Sequence, residues 1–125
     1  MNVVDSAGWV EYFIDSPAAA NFAPVIEQTN QLIVPTLSLL EVHRFLSRHT
    51  GAAERDHCLA LMRRAKIIDL TASRAIAASA LAAKRRLAMA DAVMYSIALA
   101  FEATFWTQDV DYPGLAHVRY SPKPG

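Results

Sequence analysis

The sequence predicts a single α/β domain whose mostly parallel sheet of four to five strands is covered by helices on both faces. Short apolar runs alternate along the chain with one or two longer helical segments, and no hairpin turn joins neighbouring runs. Parallel strands need a long crossover, usually a helix, whereas antiparallel strands are joined by tight turns. The 125 residues suffice for one ordinary domain, and 54% of them are hydrophobic, which allows a proper core.

The first half of the chain contains two predicted strands and four predicted helices. Ser6 is a suitable N-cap for the first helix, and Pro17 favours the first turn of the second. Gly51 ends the third helix. In chain order the elements are a strand over residues 2–5, helices over 6–14 and 17–29, a strand over 32–34, and helices over 36–48 and 52–65.

The second half adds three predicted strands and two predicted helices. Thr71 or Ser73 caps a long Ala-rich helix, and the Asp, Pro and Gly residues of 108–114 favour a turn. Residues 121–125 form a predicted C-terminal tail, so the predicted domain spans residues 1–120. The remaining elements are a strand over 67–70, helices ending at 86 and spanning 90–102, a strand over 104–107, and an edge strand over 117–120.

The composition excludes several classes of protein. The lone Cys58 excludes an intrachain disulfide framework and a zinc site built from cysteines, and a reducing, intracellular setting fits best. The start of the chain lacks a basic region, so no signal peptide is predicted. No run of about 18 apolar residues is free of charge, so we expect no membrane segment and a cytoplasmic protein.

The formal net charge is zero, but the charges are divided along the chain. Residues 1–43 carry five acids and no Lys or Arg, and residues 44–86 carry ten basic residues against three acids. Residues 87–125 carry four acids against two basic residues. Acidic ends around a basic middle are compatible with an acidic pocket flanked by a basic surface, or with solvated helix faces alone.

Four carboxylates are predicted to meet at one edge of the sheet. Asp5 ends the first strand and Glu41 lies in the first turns after the second, while Asp91 opens the last helix. Asp109 follows the fourth strand. In an open α/β sheet this edge, at the carboxyl ends of the strands, forms the binding crevice. Carboxylates gathered there repel one another unless a cation lies between them, so the pattern predicts a Mg²⁺ or Mn²⁺ site for phosphate-ester chemistry.

Each acid also has a simpler structural interpretation. Ser38 and Glu41 have the spacing of a capping box, in which Glu41 reaches back to the Ser38 amide. Asp91 suits a helix N-terminus because of the helix dipole, and Asp109 is an ordinary turn residue. Asp5 is hardest to explain in this way, since a charge that closes a buried strand is costly without a partner. Four acids at one edge are harder to attribute to chance than any one of them.

The acids lie within four characteristic stretches of sequence. These are VVDSAGWVEYF at 3–13, VPTLSLLEV at 34–42, LAMADA at 87–92 and FWTQDVDY at 105–112. In this order and spacing the chain resembles PIN-domain ribonucleases and, among them, the VapC-type toxins of bacterial toxin–antitoxin pairs. Each stretch is weak alone, but the four together are specific and the resemblance extends over essentially the whole chain.

The resemblance implies a Mg²⁺-dependent endoribonuclease that acts on structured or single-stranded RNA. Matched by position, its metal-binding and catalytic acids are Asp5, Glu41, Asp91 and Asp109. Asp111 is a less regular fifth candidate, and Ser6 and Thr107 occupy the hydroxyl positions beside the first and last acids. In the family, a cognate antitoxin covers the acidic site and the toxins commonly dimerise. The implied partners are therefore RNA, an antitoxin protein and a second copy of the chain.

Clustered basic residues give a candidate RNA path. Lys84, Arg85 and Arg86 closely precede Asp91, and positive charge attracts phosphate regardless of base sequence. The same residues end a helix, where the dipole favours cations, and we favour this second interpretation.

Two non-enzymatic functions stay open. A phosphoacceptor receiver-like domain would need paired acids after the first strand and a Lys after the last. Here Asp5 stands alone, and the only late Lys, Lys123, lies in the predicted tail. A catalytically idle PIN scaffold used for binding is the other alternative, and the intact set of four acids argues against it.

Overall fold

The computed structural model describes residues 1–124, and Gly125, the end of the predicted tail, lies outside the described residues. Within them, five short strands alternate with six α-helices. The strands are β1 (Asn2–Val4), β2 (Ile33–Pro35), β3 (Lys66–Ile68), β4 (Thr104–Thr107) and β5 (Val118–Tyr120). The helices are α1 (Ser6–Phe13), α2 (Ala23–Ile26), α3 (Thr36–His49), α4 (Ala52–Met62), α5 (Ala72–Arg85) and α6 (Met89–Ala100). Residues 121–124 follow β5 without helix or strand, and the domain limits of 1–120 stay a prediction.

All five strands run parallel, as the alternation of strands and helices predicts. β4 lies between β1 and β5, with Val4 opposite Trp106 and Trp106 opposite Arg119. β2 and β3 pair separately, and a parallel bridge between Asn2 and Leu32 joins the two groups. The resulting order is β3-β2-β1-β4-β5, so the order of the strands reverses between β1 and β4. Open α/β sheets bind ligands at such a switch point, at the carboxyl ends of the strands.

Helices cover both faces of the sheet and complete the three layers of an α/β/α domain. Val3, Ile33 and Phe105 pack on one side with residues of α5 and α6. Val4 and Val34, which follow Val3 and Ile33 in the chain, pack on the other side with residues of α1 to α4. Strands buried on both faces must be apolar throughout, which explains the short uninterrupted apolar runs of the sequence. None of the helices within residues 1–124 is long and apolar enough to cross a membrane.

The helix predicted over residues 17–29 is wrong, because this segment is broken into short turns. A 3₁₀ turn (Ala19–Asn21) precedes α2, and a second 3₁₀ turn (Thr29–Gln31) leads into β2. Pro24 lies in the first turn of α2 and lacks the N–H that a continuous helix would need there. Phe22 is nevertheless buried, so the segment still contributes to the core.

The predicted helix caps are correct for α5 and wrong for α1. The Thr71 hydroxyl accepts a hydrogen bond from the Arg74 backbone N–H at 3.3 Å and so caps α5. Ser6 is instead the first residue of α1, and Asp5 takes the cap position without a side-chain cap bond. The Ser6 hydroxyl bonds to Glu41, a partner that only the tertiary fold supplies.

Candidate active site

Asp5 lies directly after β1, where the main-chain pairing with β4 continues. Its backbone N–H donates to the Trp106 carbonyl at 2.9 Å, and its own carbonyl accepts the Gly8 N–H at 2.8 Å as α1 begins. A Cβ on Gly8 would lie 2.7 Å from Val4 Cγ1 and 2.9 Å from the Phe22 ring, so glycine allows this tight passage from strand to helix. The passage leaves Asp5 only 5% exposed.

Thr107, at the end of β4, connects Asp5 to the next acid. Its buried hydroxyl donates to Asp5 Oδ2 at 2.9 Å and accepts the Asp109 backbone N–H at 3.0 Å. Asp109 Oδ1 in turn accepts the Asp111 backbone N–H at 2.9 Å, which shapes the loop after β4 as an Asx turn. Thr107 thus lies where the sequence places a supporting hydroxyl, whereas Asp111 is exposed at the rim.

Glu41 reaches the same region from the second turn of α3. Its Oε1 accepts the Ser6 hydroxyl of α1 at 2.7 Å. The capping-box interpretation of Glu41 is wrong, because α3 begins at Thr36 and Ser38 already lies inside its first turn. The Ser38 hydroxyl lies 3.3 Å from Met94 Sδ, and the Ser6 hydroxyl lies at the same distance from that sulfur.

Asp91 approaches from α6, in which it is the third residue. Burial raises the pKa of Asp91, and the charge of Asp109 raises it further. The neighbouring Tyr112 hydroxyl partly offsets this rise in pKa, although no hydrogen bond of normal geometry joins it to Asp91. Glu41 and Asp111 add smaller increases to the pKa. Asp91 therefore lies within reach of the charges of three other carboxylates.

Asp5 has the most strongly perturbed pKa of the four acids. Burial raises the pKa of Asp5 from 3.8 to about 7, against the opposing effect of the Thr107 hydrogen bond. The charges of Asp91 and Asp109 raise the pKa further. The structure thus brings together all four acids that the sequence placed at this edge. We call them the acid cluster: Asp5, Glu41, Asp91 and Asp109.

Tyr112 is a member of the site that the sequence did not reveal. Its side chain is fully buried, and its hydroxyl has no hydrogen-bond partner within residues 1–124. Burial raises the pKa of Tyr112, and the charges of Asp5 and Asp91 raise it further. Because Pro113 and Gly114 follow, the sequence marks only a turn here. An aromatic residue inside an otherwise polar turn is the one signal that could have revealed it.

Comparison with known families decides the class of fold. A family model described as PIN domain matches residues 3–118. The chain belongs to the PIN-domain family. The match spans all four members of the acid cluster and confirms the resemblance seen in the sequence, so the receiver-like alternative is set aside. No curated protein sequence matches the chain.

Solved structures similar to this PIN domain extend over nearly the whole chain. A toxin–antitoxin complex from Klebsiella pneumoniae matches at 16% identity with a TM-score of 0.81, covering 95% of this chain and 96% of that chain. VapBC2 from Rickettsia felis, bound to a promoter DNA fragment, matches at 16% identity with a TM-score of 0.73, covering 97% of both chains. DNA-bound VapBC from Salmonella typhimurium matches at 12% identity with a TM-score of 0.69, covering 98% of both chains. At these identities the likeness concerns the fold.

The acid cluster of this PIN domain offers oxygen ligands alone. Among residues 1–124, no group of three or more His, Cys, Asp or Glu side chains is already arranged to hold a metal ion. Mg²⁺ needs less than such a cage, because it usually binds one or two carboxylates and keeps several waters. Asp5 is repelled by Asp91 and Asp109, and a cation among them removes that repulsion. The donor set therefore fits a hydrated Mg²⁺ or Mn²⁺ ion.

The basic residues that are candidates for RNA binding lie a few residues before Asp91 in the PIN domain. Lys84 and Arg85 are in the last turn of α5, and Arg86 ends the helix in a left-handed conformation with a φ of 56°. All three side chains are exposed, and none forms an ion pair with another described residue. Asp91 follows after a short turn, so the segment ends near the cluster. Its contact with RNA stays a prediction.

Proposed function

We propose that this PIN domain is a Mg²⁺- or Mn²⁺-dependent endoribonuclease that acts as the toxin of a toxin–antitoxin pair. The acid cluster carries the proposal, because four carboxylates converge at the switch point of the sheet and Asp5 among them is buried. Burying a carboxylate beside like charges costs stability, and such costs are concentrated at functional sites. Hydrolysis of an RNA phosphodiester is the chemistry that a cation held at this edge would serve.

The proposed ligands to the ion are Asp5, Glu41 and Asp91, and Asp109 completes the set directly or through water. When bound, the ion supplies a Lewis acid that lowers the pKa of water and offsets negative charge on the phosphate. The protein's own contribution is to place these carboxylates at one edge of the sheet and to orient two of them, Asp5 and Glu41, with hydroxyl donors.

Hydrogen bonds from neighbouring hydroxyls fix the acids for this task. Thr107 holds one oxygen of Asp5 together with the main chain of Asp109. Ser6 holds one oxygen of Glu41, Oε1, through its hydroxyl. Donors that orient ligating groups typically change metal affinity by about 10–100-fold, so Ser6 and Thr107 act as supporting residues.

Asp5 also links ion binding to pH. With a pKa of about 7, Asp5 carries a proton in a large fraction of metal-free molecules near neutral pH. A ligating carboxylate has to be deprotonated, so ion binding releases this proton. The apparent affinity for Mg²⁺ should therefore increase as the pH rises from about 6 to about 8.

The proposed partners are an RNA substrate, a cognate antitoxin protein and a second copy of the chain. The three similar structures described above are toxin–antitoxin assemblies, which supports an antitoxin partner. Exposed positive charge at residues 84–86, close to the acid cluster, supports RNA as the substrate. A cytoplasmic location suits these partners and belongs to the proposal.

RNA cleavage by the purified chain tests the enzymatic proposal. Labelled single-stranded and hairpin RNAs are incubated with Mg²⁺, with Mn²⁺ or with excess EDTA. We expect cleavage only with an ion present, and none by Asp5→Asn. Asp69→Asn is the matched control, because Asp69 also follows a strand but is exposed beside the outermost strand β3. Cleavage in EDTA or by folded Asp5→Asn contradicts the proposal, and a wild type inactive under every condition supports the idle scaffold.

Growth of cells tests the toxin assignment separately. Expression of the wild-type chain without an antitoxin should arrest growth, and expression of Asp5→Asn at the same level should not. Equal arrest by the two proteins would contradict a toxin that acts by cleaving RNA.

A further inference from the structure

The Tyr112 ring is part of the core, but packing does not explain its hydroxyl. The side chain is fully buried, and its ring centroid lies 4.9 Å from that of Phe105 and 5.9 Å from that of Tyr95. The hydroxyl oxygen is shielded from solvent and has no hydrogen-bond partner in the part of the chain that the structure describes. A phenylalanine would fill the same space without leaving a buried polar atom unpaired, which costs free energy.

Tyr112 contacts the acid cluster through its main chain, since its backbone N–H donates to the Asp109 carbonyl at 3.4 Å, and its hydroxyl lies within electrostatic reach of the cluster. Asp5, Asp91 and Asp109 all act on it electrostatically, although they come from three different segments of the chain. Of these three carboxylates, Asp91 alone comes close to hydrogen-bonding range of the hydroxyl, although their contact falls outside normal hydrogen-bond geometry. The unpaired atom therefore lies at the functional site and not at a random position in the core.

Asp91 is the acid of the cluster that lacks a fixed donor among residues 1–124. The other three are held by the Thr107 hydroxyl (Asp5, 2.9 Å), the Ser6 hydroxyl (Glu41, 2.7 Å) and the Asp111 N–H (Asp109, 2.9 Å). Among the groups that act on Asp91, Tyr112 is alone in carrying a donor. The Tyr112 hydroxyl, a donor with no acceptor, thus lies near the Asp91 carboxylate, an acceptor with no fixed donor.

We propose that Tyr112 is a positioning residue of the metal site, whose hydroxyl donates its proton to the Asp91 carboxylate when a divalent cation occupies the acid cluster. The inference rests on the proposed function, because Tyr112 has this task only if the cluster binds Mg²⁺. A neutral phenol is a suitable group, since it donates a hydrogen bond without adding another charge. With this bond, every acid of the cluster has a hydrogen-bond donor that holds it.

Mg²⁺ binding by the Tyr112→Phe variant tests the inference without a cleavage assay. Isothermal titration calorimetry of the full chain should give a Kd for Mg²⁺ about tenfold or more weaker than that of wild type. The melting temperature in EDTA should be unchanged or higher, because the variant no longer buries an unpaired hydroxyl.

Tyr95→Phe is the matched control for this experiment. The Tyr95 ring belongs to the same aromatic group, but its hydroxyl donates to the Ala116 carbonyl at 2.6 Å. Removing the Tyr95 hydroxyl should lower the melting temperature and leave the Kd for Mg²⁺ unchanged. A second measurement uses wild-type protein isotope-labelled at tyrosine Cζ, so it does not depend on the folding of any variant. Adding Mg²⁺ should move the Tyr112 resonance and leave the Tyr95 resonance in place.

The outcomes separate the inference from the proposed function. An equal Kd for wild type and Tyr112→Phe, or an unmoved Tyr112 resonance while Mg²⁺ binds, overturns the inference and leaves the proposed metal site standing. A wild type that binds no Mg²⁺ overturns both. If Tyr95→Phe weakens Mg²⁺ binding as much as Tyr112→Phe, aromatic packing accounts for the effect and the inference is also overturned.

Discussion

The acid cluster and the basic segment at residues 84–86 differ in burial far more than in position. Only residues 87–90 separate the end of that segment from Asp91. Asp91 is nevertheless partly buried among like charges, whereas the three basic side chains are exposed. An exposed cation at a helix end is stabilised by water and by the helix dipole. Asp91 also has the favourable dipole of α6, but it is partly buried beside other carboxylates, so its negative charge is less well stabilised than these surface cations.

Burial is therefore the property that separates the charges proposed to be functional from the ordinary ones in this chain. From the sequence alone, the helix dipole explains both Asp91 and the segment 84–86, since each lies at the helix end whose dipole favours the sign of its charge. Asp5 also lies at a helix N-terminus, as the cap residue of α1, but it is 5% exposed and its pKa is raised to about 7, so this position does not offset the cost of its burial. The proposed function depends most on buried Asp5 and partly buried Asp91, and the exposed cations matter only if RNA binding uses them.

Variants of the acid cluster and of residues 84–86 should differ most in their rate of RNA cleavage. Asp91→Asn should lower the cleavage rate by roughly 100-fold or more, because it removes a charge that the proposed site uses directly. Replacing Lys84, Arg85 and Arg86 together by Gln should lower the rate by less than about tenfold at low salt, because these charges assist binding only. Initial rates at one Mg²⁺ concentration, with folding checked by circular dichroism, measure both. A greater loss in the triple variant would reverse the ranking of the two regions.

The next effect is on stability as a function of pH in the metal-free protein. The folded pKa of Asp5 lies above its ordinary value of 3.8, so Asp5 contributes stability that is complete below that pH and lost as the pH rises through about 7. Asp5→Asn does not titrate. Its unfolding free energy relative to wild type should therefore rise by up to roughly 4 kcal/mol between about pH 4 and about pH 8.

Urea unfolding in EDTA at the two pH values measures this change. Asp69→Asn, which replaces an exposed acid, should keep a constant difference from wild type over the same range. A constant difference for Asp5→Asn as well would contradict a buried, charge-repelled Asp5.

The strands and the acids could be predicted because their signals are local. Each strand is an apolar run bounded by helical segments, and the acids follow strands or open helices. Parallel pairing then brings them to one edge without further information. Asp5 and Asp109 are neighbours because β1 pairs with β4, which places Val4 opposite Trp106 just before both acids. Their catalytic roles stay a prediction.

The features that could not be predicted from the sequence depend on residues far away in the chain or on competing local signals. Ser6 has the properties of a cap, but Glu41, far along the chain, supplies a better acceptor for its hydroxyl. Tyr112 lies in a turn-forming sequence, and its burial comes from packing against Tyr95 and its neighbours. The second helix is predicted from Pro17 in its first turn, whereas in the structure Pro24 lies in the first turn of α2 and the segment is broken before it.

A smaller effect is expected on the stabilisation that Mg²⁺ provides. Wild type alone offers the full set of carboxylates, and a ligand at about 100 times its Kd stabilises the folded state by about 2.7 kcal/mol. Without an ion, at about pH 7, Asp91→Asn should be the more stable protein, because burial and the charge of Asp109 raise the pKa of Asp91. This gap should shrink on acidification, since Asp91 then becomes protonated in wild type.

Thermal melts of both proteins in EDTA and in Mg²⁺ measure these differences. Lower stability of Asp91→Asn in EDTA would mean that the favourable interaction with the dipole of α6, about 0.3–1 kcal/mol, outweighs the repulsion within the cluster. Asp91 would then be a residue that stabilises the helix, and the contrast between the two regions would weaken.

Two basic helix ends in the chain lie at opposite edges of the sheet. α4 ends just before β3 begins, so its end lies at the amino ends of the strands. α5 ends just before α6, whose first turn carries Asp91 at the carboxyl ends. The basic residues around the end of α4 are Arg63 and Arg64, just after the helix, and Lys66, the first residue of β3, all exposed. Replacing these three by Gln gives a control with the same change of charge, away from the acid cluster.

The smallest expected effect is on the salt dependence of RNA binding. Each Lys or Arg contact with a phosphate of a single strand contributes about 0.7 to the slope of log K against log salt concentration. In an Asp5→Asn background, which prevents cleavage, replacing residues 84–86 by Gln should lower that slope by up to about 2. The α4 control should leave the slope unchanged, because its cations lie at the far edge of the sheet. Fluorescence anisotropy with one labelled RNA at several salt concentrations measures all three proteins. Equal slopes would mean that residues 84–86 only stabilise the end of α5, and RNA would then have to approach the acid cluster over another surface.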